Sequence, residues 1–169
     1  MTASSPAQRV DEHEFRQAFG RFATGVSVLT TRWQDLDYAM TANSLTSVSL
    51  DPPLMLFCVH EDSRFGEAVR SSGVWALSIL PASARAAASW LATPARPVRG
   101  QLASIPHRRG VVHDVPLLDG ALATMECTTV AVHPGGDHAI VVGEVVDLQL
   151  PADVGEALVF YRGRYGSLA

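Results

Sequence analysis

The stretch Met40–Leu54, MTANSLTSVSLDPPL, sets five hydroxyl side chains and one amide where the surrounding apolar pattern calls for packed strand. Thr41, Asn43, Ser44, Thr46, Ser47 and Ser49 are short, uncharged hydrogen-bonding groups, and small neighbours such as Ala42 leave backbone N–H groups open to close approach. Such a surface suits a planar polar ring or a phosphate, because oriented N–H groups and hydroxyls hold an anion in a backbone concavity without a formal charge. On the residues alone a second reading stands beside it, a Ser/Thr-rich turn whose hydroxyls bond their own backbone.

Other residues capable of chemistry are scattered. His138 follows a Gly135-Gly136-Asp137 turn at the mouth of a strand pair, where a side chain projects over a ligand or simply closes the turn. Ser63 is placed as a helix cap, with Arg64 beside it as a surface charge. Arg162, Arg164 and Tyr165 form either a basic strand end or a contact for a nucleotide. His13, His60, His107, His113 and His133 show no H-E-x-x-H or paired Cys/His spacing, so no metal site is expected. Cys58 and Cys127 lie in apolar runs without C-x-x-C spacing, as small core residues of a reducing compartment do.

Composition narrows the classes. All 13 basic residues are Arg, and the absence of Lys excludes lysine Schiff-base chemistry and the phosphate-loop lysine. Net charge is −4 with the arginines dispersed, so no nucleic-acid footprint is expected. No segment approaches the roughly 18 apolar residues of a membrane span, and no apolar leader is evident; a cytoplasmic protein is expected. At 169 residues the chain fits one domain, expected over 11–169 after a disordered 1–10. Its apolar content of 47% and mean hydropathy of +0.14 predict surface buried between subunits, hence a homodimer.

The elements that must position these residues follow from period and punctuation. Asp11 and Glu14 begin a helix in which Phe15, Phe19 and Phe22 recur at i, i+4 and i+7, a spacing that predicts a core-facing stripe. Val26–Thr31 and Tyr38–Ser44 read as a hairpin, and Leu54–Val59 as a strand buried on both faces. Ser63 starts a helix that Gly73 stops, Val74–Leu80 is a strand, and Ser83–Leu91 a helix. Residues 93–116 hold four of the ten prolines plus Gly100 and Gly110, a long loop. Ala121–His133 and Ala139–Leu150 make a long hairpin, and Leu158–Tyr161 a last short strand. Strands grouped in hairpins predict a mainly β fold, an antiparallel barrel with peripheral helices, not a doubly wound sheet.

Four ordered segments resemble one family, the short-chain flavin reductases that serve as reductase components of two-component flavin-dependent monooxygenases. They are Thr41–Leu54; Pro116–Ala123 with Glu126-Cys127; Gly136-Asp137-His138 with Gly143; and Tyr161–Gly166. The resemblance implies a split β-barrel of the flavin reductase-like FMN-binding fold, dimeric, and an NAD(P)H:flavin oxidoreductase that reduces FAD or FMN and releases it to a partner monooxygenase of aromatic or natural-product metabolism. It implies that the flavin ring lies against backbone amides near Thr41, Ala42, Asn43 and Ser44, and that Ser47, Ser49 and Leu50 line its ribityl and phosphate side. Cys58 and Val59 would offer backbone groups to its pyrimidine edge, and Ser63, Arg64 and Phe65 would meet a phosphate. His138 would steady the nicotinamide, and Arg162 and Tyr165 would meet the pyridine nucleotide. NADH is favoured over NADPH, since no arginine cluster suited to a 2′-phosphate is evident. Alternatives of the same or another class are a pyridoxamine-phosphate-oxidase-like flavoenzyme and a flavin-binding module without turnover.

Overall fold

The structure, a computed structural model, describes residues 9–152 and 155–168; of the expected disordered segment, residues 1–8 lie outside the described residues. In chain order the elements are α1 (Glu12–Phe19), β1 (Thr24–Gly25), β2 (Ser27–Trp33), β3 (Leu36–Ala42), β4 (Leu45–Leu50), β5 (Pro53–His60), α2 (Arg64–Ser72) and β6 (Val74–Ile79). A single 3-10 turn over Ala82–Ala84 leads into α3 (Arg85–Ala92), followed by β7 (His107–Arg109), β8 (Pro116–Leu118), β9 (Ala123–Gly135), β10 (His138–Gln149), β11 (Ala157–Tyr161) and β12 (Arg164–Leu168).

Seven strands form one antiparallel sheet in the order β3-β2-β6-β9-β10-β5-β4. Its outermost strands, β3 and β4, are joined by only Asn43 and Ser44. From Ala42 to Leu45 the chain makes three Cα–Cα steps, at most about 11 Å, so the sheet must curl until its opposite edges meet. The seam is not closed by a ladder, which makes the barrel a split one; on its β4 side the Ser44 hydroxyl extends the β4–β5 pairing, accepting Cys58 N–H at 3.2 Å and donating to Cys58 C=O at 3.1 Å. Inside the curl lie Leu29, Phe57, Val59, Trp75, Leu77, Cys127 and Val141. Phe57 and Trp75 meet edge to face at a centroid distance of 4.8 Å, a favoured aromatic geometry.

Caps and turns are where the sequence placed them. Asp11 accepts from the N–H groups of His13 and Glu14, and Ser63 from Gly66, while Gly73 ends α2 at φ 70°. Gly136, at φ 80°, makes the two-residue turn between β9 and β10.

Three expectations change. Phe15, Phe19 and Phe22 are 59%, 62% and 67% exposed, and α1 buries no residue; the rings stack only on one another. Helical spacing identifies an apolar face, but only tertiary structure decides what covers it. Strand β5 is not buried on both faces: Met55, Phe57 and Val59 are buried in the core while Leu54, Leu56 and Cys58 stay half-buried. The chain after Tyr161 is a full strand, β12, turned back on β11 by Arg162 and Gly163 at φ 49° and 75°.

The long 93–116 segment is pinned at two places. Arg109 grips Asp37 through two bonds of 2.7 Å, and the buried Glu126 accepts from the N–H groups of Val111, Val112 and His113. Burial, with Glu126 adjacent, pushes the Cys127 thiol up to about 12. Since only thiolate reacts, Cys127 is expected to stay unmodified by thiol reagents in the native protein at pH 8 and to react on unfolding, as titration with and without denaturant would show.

Candidate functional site

A cavity of about 640 Å³ lies between β3, the start of α2 and the end of α3. Tyr38, Met40 and Thr41 form its β side, Asp62, Ser63, Arg64 and Phe65 its α2 side, and Thr93, Arg96 and Gln101 the facing loop. The sequence brings α2 here through its Ser63 cap and through Phe65, which packs under the helix against Phe57 in the barrel core. Four of the expected residues, Thr41, Ser63, Arg64 and Phe65, therefore meet at one site. Their roles differ from simple donation: the Thr41 hydroxyl donates to Ala88 C=O at 2.8 Å, tying β3 to α3, and Ser63 Oγ accepts Gly66 N–H at 2.9 Å. Phe65, Val59 and Ala42 are buried core side chains, so only their backbone faces outward.

At the seam, no hydrogen bond within the described residues engages the backbone N–H of Asn43 or Ser44. Two adjacent free amides beside a gap between strands are an acceptor-binding feature. The Asn43 side chain donates to Thr24 Oγ at 3.1 Å, which ties the seam to the small sheet β1-β11-β12. The Cys58 N–H and C=O are both bonded to the Ser44 hydroxyl, and the carbonyl keeps a second lone pair. The Ser49 hydroxyl closes a local turn with the N–H and C=O of Asp51. Ser47 and Leu50 are exposed, and with Ser49 they line a separate apolar cleft of about 360 Å³ walled by Leu77, Met125, Val145 and Leu148. The expected residues thus fall into two groups that share no cavity.

His138 pairs with His60 across β10 and β5, their rings 5.4 Å apart and nearly perpendicular. Its Nδ1 lies 2.7 Å from an Asp137 carboxylate oxygen; a carboxylate only accepts, so Nδ1 donates and the bond fixes the orientation of the ring. That bond holds the Asp137 carboxyl below its usual range. His60 Nδ1 accepts Asp62 N–H at 3.2 Å, linking this pair to the cavity wall that Asp62 and Ser63 form. Arg162 and Tyr165 lie elsewhere. Arg162 N–H bonds Gly20 C=O, and Tyr165 packs on Phe160 at the second core cluster.

Residues 19–169 match the flavin reductase like domain. The chain belongs to that family. Among curated flavin reductase relatives it is 41% identical to an NADH-dependent flavin reductase of a Rhodococcus species, over 99% of this chain and 92% of the relative. It is 34% identical to the reductase subunit of a flavin-dependent monooxygenase of Mycobacterium tuberculosis, over 93% and 82%. The crystal structure of the flavin reductase component of a bacterial two-component tryptophan halogenase superposes with a TM-score of 0.88 at 38% identity, covering 94% of this chain and 98% of that one. An NADH:FAD oxidoreductase of Streptomyces globisporus, in complex with NAD and FAD fragments, superposes with a TM-score of 0.88 at 35% identity, covering 96% and 98%. The antiparallel split barrel is thus the family's fold.

Sequence reasoning missed Thr24, His60, Arg96 and Gln101 as neighbours of the site. His60 was readable in principle from hairpin register, since it ends β5 where β10 begins. The other three stand in segments with no periodic signal.

Proposed function

We propose that this flavin reductase-family chain is an NADH:flavin oxidoreductase that reduces FAD or FMN and releases the reduced flavin to a separate flavin-dependent monooxygenase acting on an aromatic or natural-product substrate. The observation that carries the reading is the likeness across nearly the whole chain to relatives named as NADH-dependent flavin reductases and monooxygenase reductase subunits. The described residues fit a flavin nucleotide: two free amides at Asn43 and Ser44 suit the ring's carbonyl acceptors, and the arginine-bearing cavity suits phosphate. When bound, flavin supplies the hydride-accepting ring, so the protein needs no side-chain acid of its own. Its residues bind and orient. The Asn43 and Ser44 amides fix the ring edge, Ser63 and Arg64 meet the phosphate end, and His138, fixed by Asp137, steadies the nicotinamide.

The protein works as a homodimer. Its support is the exposed apolar surface of Phe15, Phe19, Phe22, Val48, Leu50, Leu148 and Leu150, more than a lone soluble domain leaves in water. On this reading Arg162 and Tyr165 serve the subunit contact or the pyridine nucleotide. The cytoplasm is its compartment, consistent with two free cysteines; no described helix is long and apolar enough to cross a membrane.

Steady-state oxidation of NADH and NADPH with FAD and FMN, on protein first passed through a desalting column, tests the proposal. The expected result is nearly colourless protein that oxidises NADH faster than NADPH when either flavin is added. Stoichiometric yellow colour that survives desalting would instead favour a prosthetic flavin of the pyridoxamine-phosphate-oxidase type. Flavin-induced thermal stabilisation without NADH consumption would favour a binding module.

A further inference from the structure

One arginine outside every recognised segment stands at the cavity. Arg96, on the 93–116 loop, is half-buried and turns its guanidinium inward: Nε donates to Gln101 Oε1 at 3.2 Å, one terminal nitrogen to Thr93 C=O at 2.9 Å, and the other to Ala39 C=O. Arg64, at the first residue of α2, donates to the Arg96 carbonyl and so lies against the same residue. Among the described residues neither guanidinium has a carboxylate within 4.0 Å, although Asp62 also lines the cavity. Arg109 shows the contrast, since it is gripped by Asp37 on both terminal nitrogens. Burial, and the charge of Arg64, hold Arg96 below its ordinary value. Two like charges facing one cavity, neither paired with a carboxylate within 4.0 Å among the described residues, raise the energy of that site until an anion enters.

We propose that Arg96 joins Arg64 in binding the phosphoryl end of the flavin nucleotide, so that the 93–116 loop confers the preference for phosphorylated flavin. This rests on the flavin reductase reading above and names a determinant within that site. Three of the Arg96 donors are fixed by backbone and Gln101, which aims the group and leaves its remaining N–H bonds for an oxyanion. The exposed Arg64 supplies the second charge from the helix side. Phosphate dianions take such paired guanidiniums through charge-assisted hydrogen bonds.

The test compares riboflavin, FMN and FAD by flavin-fluorescence titration, without NADH, on the wild type, Arg96→Gln, Arg96→Lys and Arg64→Gln. The wild type is expected to bind FMN and FAD at least about tenfold tighter than riboflavin, and Arg96→Gln to remove about tenfold of that preference. Arg96→Lys restores part of the preference by keeping the charge. If Arg96→Gln fails to fold, Arg64→Gln, changed at an exposed position, carries the same comparison. Equal wild-type affinity for riboflavin and FMN overturns the proposal, as does parallel weakening of all three flavins in the variants, the mark of a merely structural residue. Unchanged flavin affinities with a raised KM for NADH would move the cavity to the nicotinamide nucleotide's diphosphate and overturn it too. Failure of the reductase reading itself would look different: no wild-type oxidation of NADH with any of the three flavins.

Discussion

Glu126→Ala is expected to lower folding stability by about 3 kcal/mol, the scale of removing a buried, charge-assisted acceptor and leaving its donors unpaired. The Glu126 carboxylate is fully buried on β9 and takes Val111 N–H at 2.8 Å, His113 N–H at 2.8 Å and Val112 N–H at 3.2 Å. Without it these donors must find water or leave the barrel wall. The neighbouring Gly110 shows how closely the backbone wraps the carboxylate, since a Cβ there would stand 2.2 Å from Oε1. Glu126→Gln keeps one acceptor oxygen but sets an NH2 group against the remaining donors, so its rescue is incomplete. Urea unfolding measures the loss, and limited proteolysis should show new cleavage near residues 110–114. Unchanged stability in Glu126→Ala would mean that the loop is not held by this carboxylate.

Gly143→Ala is expected to cost about 2–3 kcal/mol by overpacking. An added Cβ would lie 2.5 Å from Cζ2 and 3.0 Å from Nε1 of Trp75, a ring with no exposed surface that is braced by Phe57. A rigid indole in that position has nowhere to move, whereas the far end of a flexible chain would. For a chain of this length the midpoint of thermal unfolding should fall by roughly 5–10 °C, with a change in tryptophan emission as Trp75 shifts. The position coincides with a register shift in the β9–β10 ladder between Val142 and Gly143, so the strand already bends where it passes the ring. A midpoint equal to the wild type would show that the barrel centre is looser than its packing implies.

Legibility tracked how local the physics was. The Ser63 cap, the Gly73 stop and the Gly136 turn were readable because each is settled within a few residues by backbone geometry. The Phe15, Phe19 and Phe22 stripe was misread because periodicity does not say what covers a face. Glu126 and Gly143 were visible in the sequence only as markers of a family; that one anchors a loop and the other clears space for an indole depends on strand neighbours far away in sequence. Of the candidate site, Thr41, Ser63, Arg64 and Phe65 line one cavity, while the Ser49 hydroxyl and the Cys58 backbone hold hydrogen bonds within the fold. The hydroxyl-rich segment is therefore both things its composition allowed: a turn whose Ser44 hydroxyl bonds the neighbouring β5 backbone, and a pair of free amides beside it. Arg96 was invisible because a loop without period or motif carries no positional signal.

The most direct measurement of the central claim is anaerobic stopped-flow mixing of the protein with NADH and flavin in molar excess over protein, followed in the absorbance band of oxidised flavin. The account predicts that the whole excess of FAD or FMN is bleached over many turnovers, at a rate that saturates with NADH. A band that persists with both flavins, or that falls only by one equivalent of protein, would contradict it.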